Sequence, residues 1–404
     1  MAALRRAHLA HFLIAASCSA VAPATSGTIE GVAAIEFIPC SSNQQCTNEN
    51  VSGAALSPGA AWVTRFTSTG GNPSDNSVQL ERLTFDGDAG ATVVKSIPTA
   101  MLSDVAVTPD GANVYFLGVE QGGQVAMLRA LSAAGADRAT IPVPIAGNQG
   151  FGEFTGLIAD PGAVTVGVGG SGGPSQGGNN DPDVSYWLQG TSSIPSDVRG
   201  GFVARVNVDD GGVGPTQPTT FVITYSHHLM AADATNVYWV AGPSPQGEVH
   251  MAPRDLSATE SQLAVISSGA APVGLAAANG KVAWSSTADL FGTTPGCWIW
   301  QSSVLVFQST TSWCMGLAID ATDAYFATVE MRSFTDNSGQ TQTFLAATGM
   351  ARVSLAGPAQ QTPHVLALTT DRIFGPRRIL VDSQYVYGID PAYVLRAPKS
   401  AFAP

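Results

Sequence analysis

Apolar and polar positions alternate along this chain in short runs, broken every few residues by Gly, Pro, Asn or Asp. Alternation of period two puts successive side chains on opposite faces of a strand. The 3.6-residue stripe of an amphipathic helix is hard to find. One phrase recurs seven times: a small-apolar run, often closed by Asp, then a tight turn, then an aromatic-rich strand. The copies are AALSPGAAWV from Ala54, VAVTPDGANVYF from Val105, LIADPGAVTV from Leu157, MAADATNVYW from Met230, LAAANGKVAW from Leu275, LAIDATDAYF from Leu317 and ILVDSQYVYG from Ile379. A repeat built from short strands at intervals of about 40–70 residues points to a β-propeller.

A second signal lies between these copies. A strand carrying Arg recurs in six of seven units, as Arg82, Arg129, Arg205, Arg254, Arg352 and Arg396, while the fifth unit has Gln301. A fourth strand follows most of them: TVVKSI, TIPVPI, FVITY, QLAVIS, VLVFQS and HVLALTT. Each unit therefore reads as four strands, A to D, the composition of one blade. The seventh unit ends without a D strand, and Thr28–Phe37 (TIEGVAAIEF) is a strand without a blade. Pairing the two closes the ring and removes open edges that invite aggregation. The expected fold is all-β, a seven-bladed β-propeller of four-stranded blades, closed by an N-terminal strand completing the last blade.

Composition agrees with this architecture. Hydrophobic residues make up 45% and charged residues 12%, with 44 glycines and 25 prolines, which suits an all-β chain rather than a disordered one. A chain of 404 residues would ordinarily split into domains, but each propeller blade packs only on its neighbours. The net charge of −12, with lysines only at 95, 281 and 399, leaves no basic face to displace counterions from nucleic acid.

The opening segment reads as an export signal, with Arg5 and Arg6 before a short apolar run, Leu9–Ser17. That run is too short to span a bilayer. Ala15-Ala16-Ser17-Cys18 resembles a bacterial lipobox, which would make Cys18 a lipidated first residue; cleavage after Ala22-Pro23-Ala24 is the alternative. The expected layout is residues 1–18 as signal, 19–27 as tether and 28–404 as propeller. Either fate of Cys18 leaves four cysteines, and their spacing favours Cys40–Cys46 and Cys297–Cys314 in an oxidising compartment. The protein is thus expected at the cell envelope, in periplasm or outer membrane, or secreted. Membrane attachment would come only through an N-terminal lipid.

In a propeller the B–C and D–A connections emerge at one face. The two longest insertions, Gly167–Gly200 and Glu330–Thr348, are both B–C connections, and all four paired cysteines fall on the same face. Candidate binding residues gather there: Asp181, Asp183, Tyr186 and Trp187 in the blade-three insertion, with Glu153, His227, His228, Trp313, Arg332, Arg377 and Arg378. An acidic, aromatic loop suits a sugar, a peptide or calcium, or else merely covers the blade below. Adjacent histidines in an extended segment point opposite ways, so His227 and His228 do not readily share one metal, and no metal site is assigned. Asp160, Asp233, Asp320 and Asp382 precede the A–B turn and are expected to nucleate it. The repeated arginines are expected to pair with a neighbouring blade. The strand-B aromatics Trp62, Phe116, Trp239, Trp284 and Phe326 are expected to fill the space between blades. Gly169-Gly170-Ser171-Gly172-Gly173 matches a nucleophile-elbow pattern but lies in a glycine-rich loop without the strand-to-helix turn that chemistry needs.

The phrases AADATNVYW and LAIDATDAYF, with the strands GEVHMAPRDL and GMARVSL, resemble repeat propellers of exported bacterial proteins. Such propellers include hypothetical lipoproteins of myxobacteria, NHL-like and YVTN-like propellers and the streptogramin (virginiamycin B) lyase. The resemblance spans Thr28–Lys399 and specifies a blade rather than an activity. In that lyase a His and a Glu with bound magnesium carry the reaction, and no motif here transfers those residues. The leading expectation is a non-catalytic, monomeric binding protein without cofactor, which recognises an envelope polymer, a peptide or a protein partner. The alternatives are a lyase- or hydrolase-type enzyme using His227 or His228 with Glu153 or Asp181, and a calcium-stabilised structural propeller.

Overall fold

A computed structural model describes residues 25–29, 32–36, 49–68, 76–86, 90–98, 104–119, 125–144, 153–169, 201–218, 229–241, 247–266, 270–288, 294–335, 341–368, 378–390 and 393–402. Among the described residues, twenty-nine strands form seven antiparallel sheets. The chain opens with β1 (Thr25–Ile29) and β2 (Val32–Glu36). Blade one follows as β3 (Glu49–Ser57), β4 (Ala60–Ser68), β5 (Asn76–Thr84) and β6 (Gly90–Pro98). Blade two is β7 (Val105–Val107), β8 (Asn113–Val119), β9 (Val125–Ser132) and β10 (Asp137–Pro144). Blade three is β11 (Glu153–Asp160), β12 (Ala163–Gly169), β13 (Gly201–Asn207) and β14 (Val213–Pro218). Blade four is β15 (Met230–Ala232), β16 (Asn236–Ala241), β17 (Glu248–Pro253) and β18 (Ser261–Val265). Blade five is β19 (Ala270–Ala278), β20 (Lys281–Ala288), β21 (Cys297–Gln301) and β22 (Val304–Ser309). Blade six is β23 (Trp313–Ile319), β24 (Asp323–Thr335), β25 (Thr341–Ser354) and β26 (His364–Ala367). Blade seven takes β27 (Arg378–Val381), β28 (Tyr385–Ile389) and β29 (Tyr393–Pro398), and a short 3-10 turn follows at Lys399–Phe402.

The first strand of each blade is innermost, and consecutive inner strands touch around the ring, with β27 returning to β3. The ring closes where β2 pairs with β29, Ala33 opposite Arg396 through Glu36 opposite Tyr393. Thr28–Phe37 is therefore not one strand. β1 and β2 are separate antiparallel strands, and β1 pairs outside β2 to give blade seven a fifth strand. β1 takes in Thr25–Gly27, residues assigned above to a tether.

Blade three also differs from the sequence reading. Its fourth strand is Val213–Pro218, while FVITY (221–225) lies outside the described residues. Local turn chemistry decides this against strand propensity. In Asp209-Asp210-Gly211-Gly212, Gly211 takes φ 68°, the Gly212 amide donates to Asp210 Oδ1 at 2.7 Å, and the Asn207 amide to the Gly212 carbonyl at 2.8 Å. The hairpin closes at once, and the less strand-like VGPTQP becomes the outer strand.

The core is divided among the seams. Seven buried clusters each join two adjacent blades, among them Tyr115 and Leu128 with Val164 and Val206 between blades two and three. The strand-B aromatics Trp62, Phe116, Trp239, Trp284 and Phe326 are buried in these seams, as expected. Arg254 of blade four hydrogen-bonds Asp160 of blade three, and Arg396 of blade seven grips Asp86 of blade one through two bonds of 2.6 and 2.7 Å. The repeated arginines thus fasten neighbouring blades at these two seams. No helix among the described residues is long and apolar enough to cross a membrane.

Candidate functional site

The seven inner strands enclose a channel, and a cavity of about 350 Å³ within it is lined by strands of blades one, four, five, six and seven. The wall is apolar, with small residues such as Ala231, Ala232, Gly274, Ala276, Gly316 and Ala318 among larger ones such as Leu56, Leu317 and Leu380. Arg378 is the one charged lining residue among the described residues.

Two levels of this channel are set by two positions of the repeat. At its turn end stand Ser57, Thr108, Asp160, Asp233, Ala278, Asp320 and Asp382; four residues earlier, at the mouth, stand Gly53, Asp104, Gly156, Leu229, Gly274, Gly316 and Arg378. Glycines at the mouth allow adjacent inner strands to approach closely. A Cβ on Gly53 would lie 2.6 Å from Asp104 Cα, and one on Gly274 would lie 2.7 Å from Leu317 Cβ. In blades one, three, five and six the β-ladder slips register at or beside the glycine.

Asp104 and Arg378 break the glycine pattern together. Their blades flank blade one, and Arg378 Nη1 reaches past Gly53 to Asp104 Oδ1 at 3.0 Å. The same carboxylate accepts the Val105 amide at 2.8 Å and, through Oδ2, the Leu157 amide of blade three at 3.1 Å. Asp104 is 3% exposed, so its charge is compensated at a site water scarcely reaches. One carboxylate thereby links blades two, three and seven at the mouth. A second buried pair stands in blade one, where Arg65 and Glu81 meet at 2.6 Å on β4 and β5.

The turn end is more uniform. Asp233, Asp320 and Asp382 each cap the A–B turn with Oδ1, accepting amides two and three residues on at 2.7–2.9 Å. Oδ2 of each accepts the hydroxyl of the tyrosine five residues on, Tyr238, Tyr325 or Tyr387, at 2.8–3.1 Å. Burial and the aspartate charge push all three phenols up, Tyr238 to about 12. Burial opposes the charge on Asp320, but Lys399 at 2.6 Å and the turn amides outweigh it and hold the carboxyl at about 2. Asp160 departs from the expected turn role. Its carboxylate instead takes Arg205 and Arg254, each at 2.5 Å, which ties blade three to blade four.

The long connections lie at the mouth end. The blade-six hairpin continues past the blade's inner strand, which is paired only as far as Val329, to Thr335 opposite Thr341. Those six further residues of β24 project by roughly 20 Å. The ribbon leaves the blade at a bulge where Thr348 is unpaired in the β24–β25 ladder, and its hydroxyl bonds the Thr328 carbonyl at 3.2 Å. Cys297 and Cys314 form a disulfide at this end, from the third strand of blade five to the inner strand of blade six. Cys314 lies within β23 rather than before it, and the bond confirms the pairing expected from spacing.

Of the other candidates, Asp181, Asp183, Tyr186, Trp187, His227, His228 and Arg377 lie outside the described residues, as do Cys18, Cys40 and Cys46. Glu153 opens β11 opposite Gly169, and Arg332 stands in the ribbon opposite Phe344. Trp313 opens β23, is 7% exposed, and its indole N–H has no hydrogen-bond partner among the described residues. With Arg378, these residues are distributed over blades three, six and seven. No group of three or more His, Cys, Asp or Glu placed to hold a metal occurs among the described residues. Sequence reasoning passed over Asp104, Arg65 and Glu81. For Asp104 a signal existed: an acid and a base replace glycine at one repeat position in two blades that flank a third.

No family model and no curated protein matches the sequence. The fold is similar to Kuenenia stuttgartiensis hydrazine synthase (9% identity, TM-score 0.52, covering 89% of this chain and 99% of that one). It is similar to an oligogalacturonate lyase in complex with manganese (10% identity, TM-score 0.52, covering 96% and 100%). The β-propeller domain of the Trilobed protease from Pyrococcus furiosus matches at 8% identity and TM-score 0.46, covering 85% and 92%. At such identities the likeness is one of fold alone: the chain is a seven-bladed β-propeller.

Proposed function

We propose that this protein is a non-catalytic binding or interaction protein of the cell envelope or of the secreted fraction. It engages a surface polymer, a peptide or a partner protein through the face that carries the B–C and D–A connections. The observation that supports the reading is the asymmetry of the two faces. One face carries tight A–B turns, three of them locked by aspartate and tyrosine, whereas the other carries the projecting β24–β25 ribbon and the disulfide. Variable connections on a rigid scaffold are where recognition usually resides. The charges described at the channel mouth, Asp104 and Arg378, are engaged with each other, so the outer loops rather than the channel are the surface offered to a ligand.

A thermal-shift titration of the chain from Ser19 onward tests this, using cell-wall fragments, a glycan panel, peptides, calcium, zinc and EDTA. A ligand at 100 times its Kd that binds only the native state adds about 2.7 kcal/mol. A saccharide- or peptide-dependent rise in Tm, abolished by Trp187→Ala, is the expected result. A metal-dependent rise lost with His227→Ala replaces the reading with an enzyme, and a Tm that falls on chelation alone replaces it with a calcium-stabilised scaffold.

A further inference from the structure

Blade four carries a charged trio that the binding reading does not use. His250, on β17, has Nε2 3.0 Å from Glu248 Oε2 and Nδ1 3.3 Å from Glu260 Oε2. Its ring stacks on Trp239, with centroids 6.0 Å apart and planes at 28°. Trp239 is fully buried in the seam against blade three. The two glutamates are the charged groups acting on His250 among the described residues. Arg205 and Arg254, in the same seam, are committed to Asp160.

A neutral imidazole has one N–H and one lone pair. With a carboxylate at each ring nitrogen, either neutral tautomer turns a lone pair toward a negative oxygen, whereas the imidazolium hydrogen-bonds Glu248 through Nε2 and faces Glu260 as an ion pair without a hydrogen bond at Nδ1. Contact with Glu260 raises the pKa above the ordinary 6.5, burial opposes this, and Glu248 adds to the rise.

The trio spans the weaker half of the blade. Glu248 opens β17, and Glu260 ends the connection that enters β18. β18 is outermost, has no fully buried residue, and pairs with β17 in four positions with a bulge at Leu263. Strands with few buried apolar contacts open locally at low free energy.

We propose that His250 is a proton-operated clasp, which as imidazolium fastens the start of β18 to β17 and on losing its proton releases that outer strand. The folded-state pKa is the raised one. The fastening is therefore fully present below about 6.5 and is lost as pH rises through the folded-state value.

Two measurements on the full chain test this. The first is the His250 ring signal in an NMR pH titration, assigned by its loss in His250→Gln. The second is amide hydrogen exchange of residues 261–265 at pH 6 and pH 9, expressed as protection relative to the unfolded chain. The expected midpoint lies above 6.5, and it falls in Glu260→Gln. Protection of 261–265 drops on going to pH 9 by about tenfold per unit of raised pKa in the wild type, and stays constant in His250→Gln. Should His250→Gln fail to fold, Glu260→Gln supplies the same contrast and leaves the histidine in place. A midpoint at or below 6.5, or equal pH dependence of protection in wild type and variants, overturns the proposal.

Discussion

The two ends of the inner strands lie four residues apart in the repeat, yet they follow different rules. At the turn end, blades four, six and seven use one device three times: an aspartate that caps the turn and grips the tyrosine five residues on. At the mouth the equivalent position holds four glycines, a leucine, Asp104 and Arg378. The turn is a local problem. Its unpaired amides lie within three residues of the capping position, so in blades four, six and seven the same side chain solves it. The mouth is a global problem, because what each position meets belongs to another blade. Gly53 is small because Asp104 stands against it, and Asp104 is charged because Arg378 comes from the far side of blade one.

Perturbing the mouth should therefore cost more than perturbing a turn. The largest effect is expected from Asp104→Ala, which removes the carboxylate facing Arg378 and the acceptor of the Val105 and Leu157 amides. A loss of about 4 kcal/mol in urea unfolding is expected. The double variant Asp104→Ala/Arg378→Ala should lose less than the sum of the two single variants by at least about 1 kcal/mol. Additive losses would mean the two ends of this pair do not cooperate. Removing the mouth-end disulfide by Cys297→Ser/Cys314→Ser should cost about 3 kcal/mol, because the bond closes a 17-residue separation. Reduction of the wild type should reproduce the fall in Tm.

Two glycines sharpen the contrast further. Gly53→Ala should cost about 2 kcal/mol by overpacking against Asp104. At the turn end Gly59 has open space but φ 73°, so Gly59→Ala should cost about 1 kcal/mol through backbone strain alone. A cost at Gly59 equal to or above that at Gly53 would reverse the ranking of the two ends. The smallest effects belong to the turn clamps. Asp320 has its folded-state pKa lowered to about 2, so its contribution is present above the unfolded value of 3.8 and is lost as pH falls toward 2. Its partly solvated setting keeps this to on the order of 1 kcal/mol, seen as an acid limb in Tm that Asp320→Asn flattens. Tyr238→Phe, which removes the hydroxyl bond to Asp233, should cost about 1 kcal/mol.

How far the residues spoke for themselves follows the same division. The seven repeats, the strand-B aromatics, the capping role of Asp233, Asp320 and Asp382 and the Cys297–Cys314 bond were legible, since each depends on spacing within one unit or between close neighbours. The role of Asp160 was not, because its partner Arg254 is supplied by the next blade. Neither was the hairpin of β1 and β2, since the apolar pattern of Thr28–Phe37 suits one strand or two equally well. The same applies to β14, which a tight Asp-Gly turn sets directly after β13.

By itself, then, the sequence determined the unit: four short strands, a capped turn and an aromatic to fill the seam, repeated until the ring closes. Those features rest on period-two alternation and on hydrogen bonds within a few residues, which the chain carries wherever it goes. Only the tertiary structure decided which residues meet across the ring. The Arg378–Asp104 bridge past Gly53, the Asp160–Arg254 seam and the His250 trio against Trp239 arise where blades or strands converge. Such contacts depend on the angle and rise from one blade to the next, a property of the closed ring and of no single repeat.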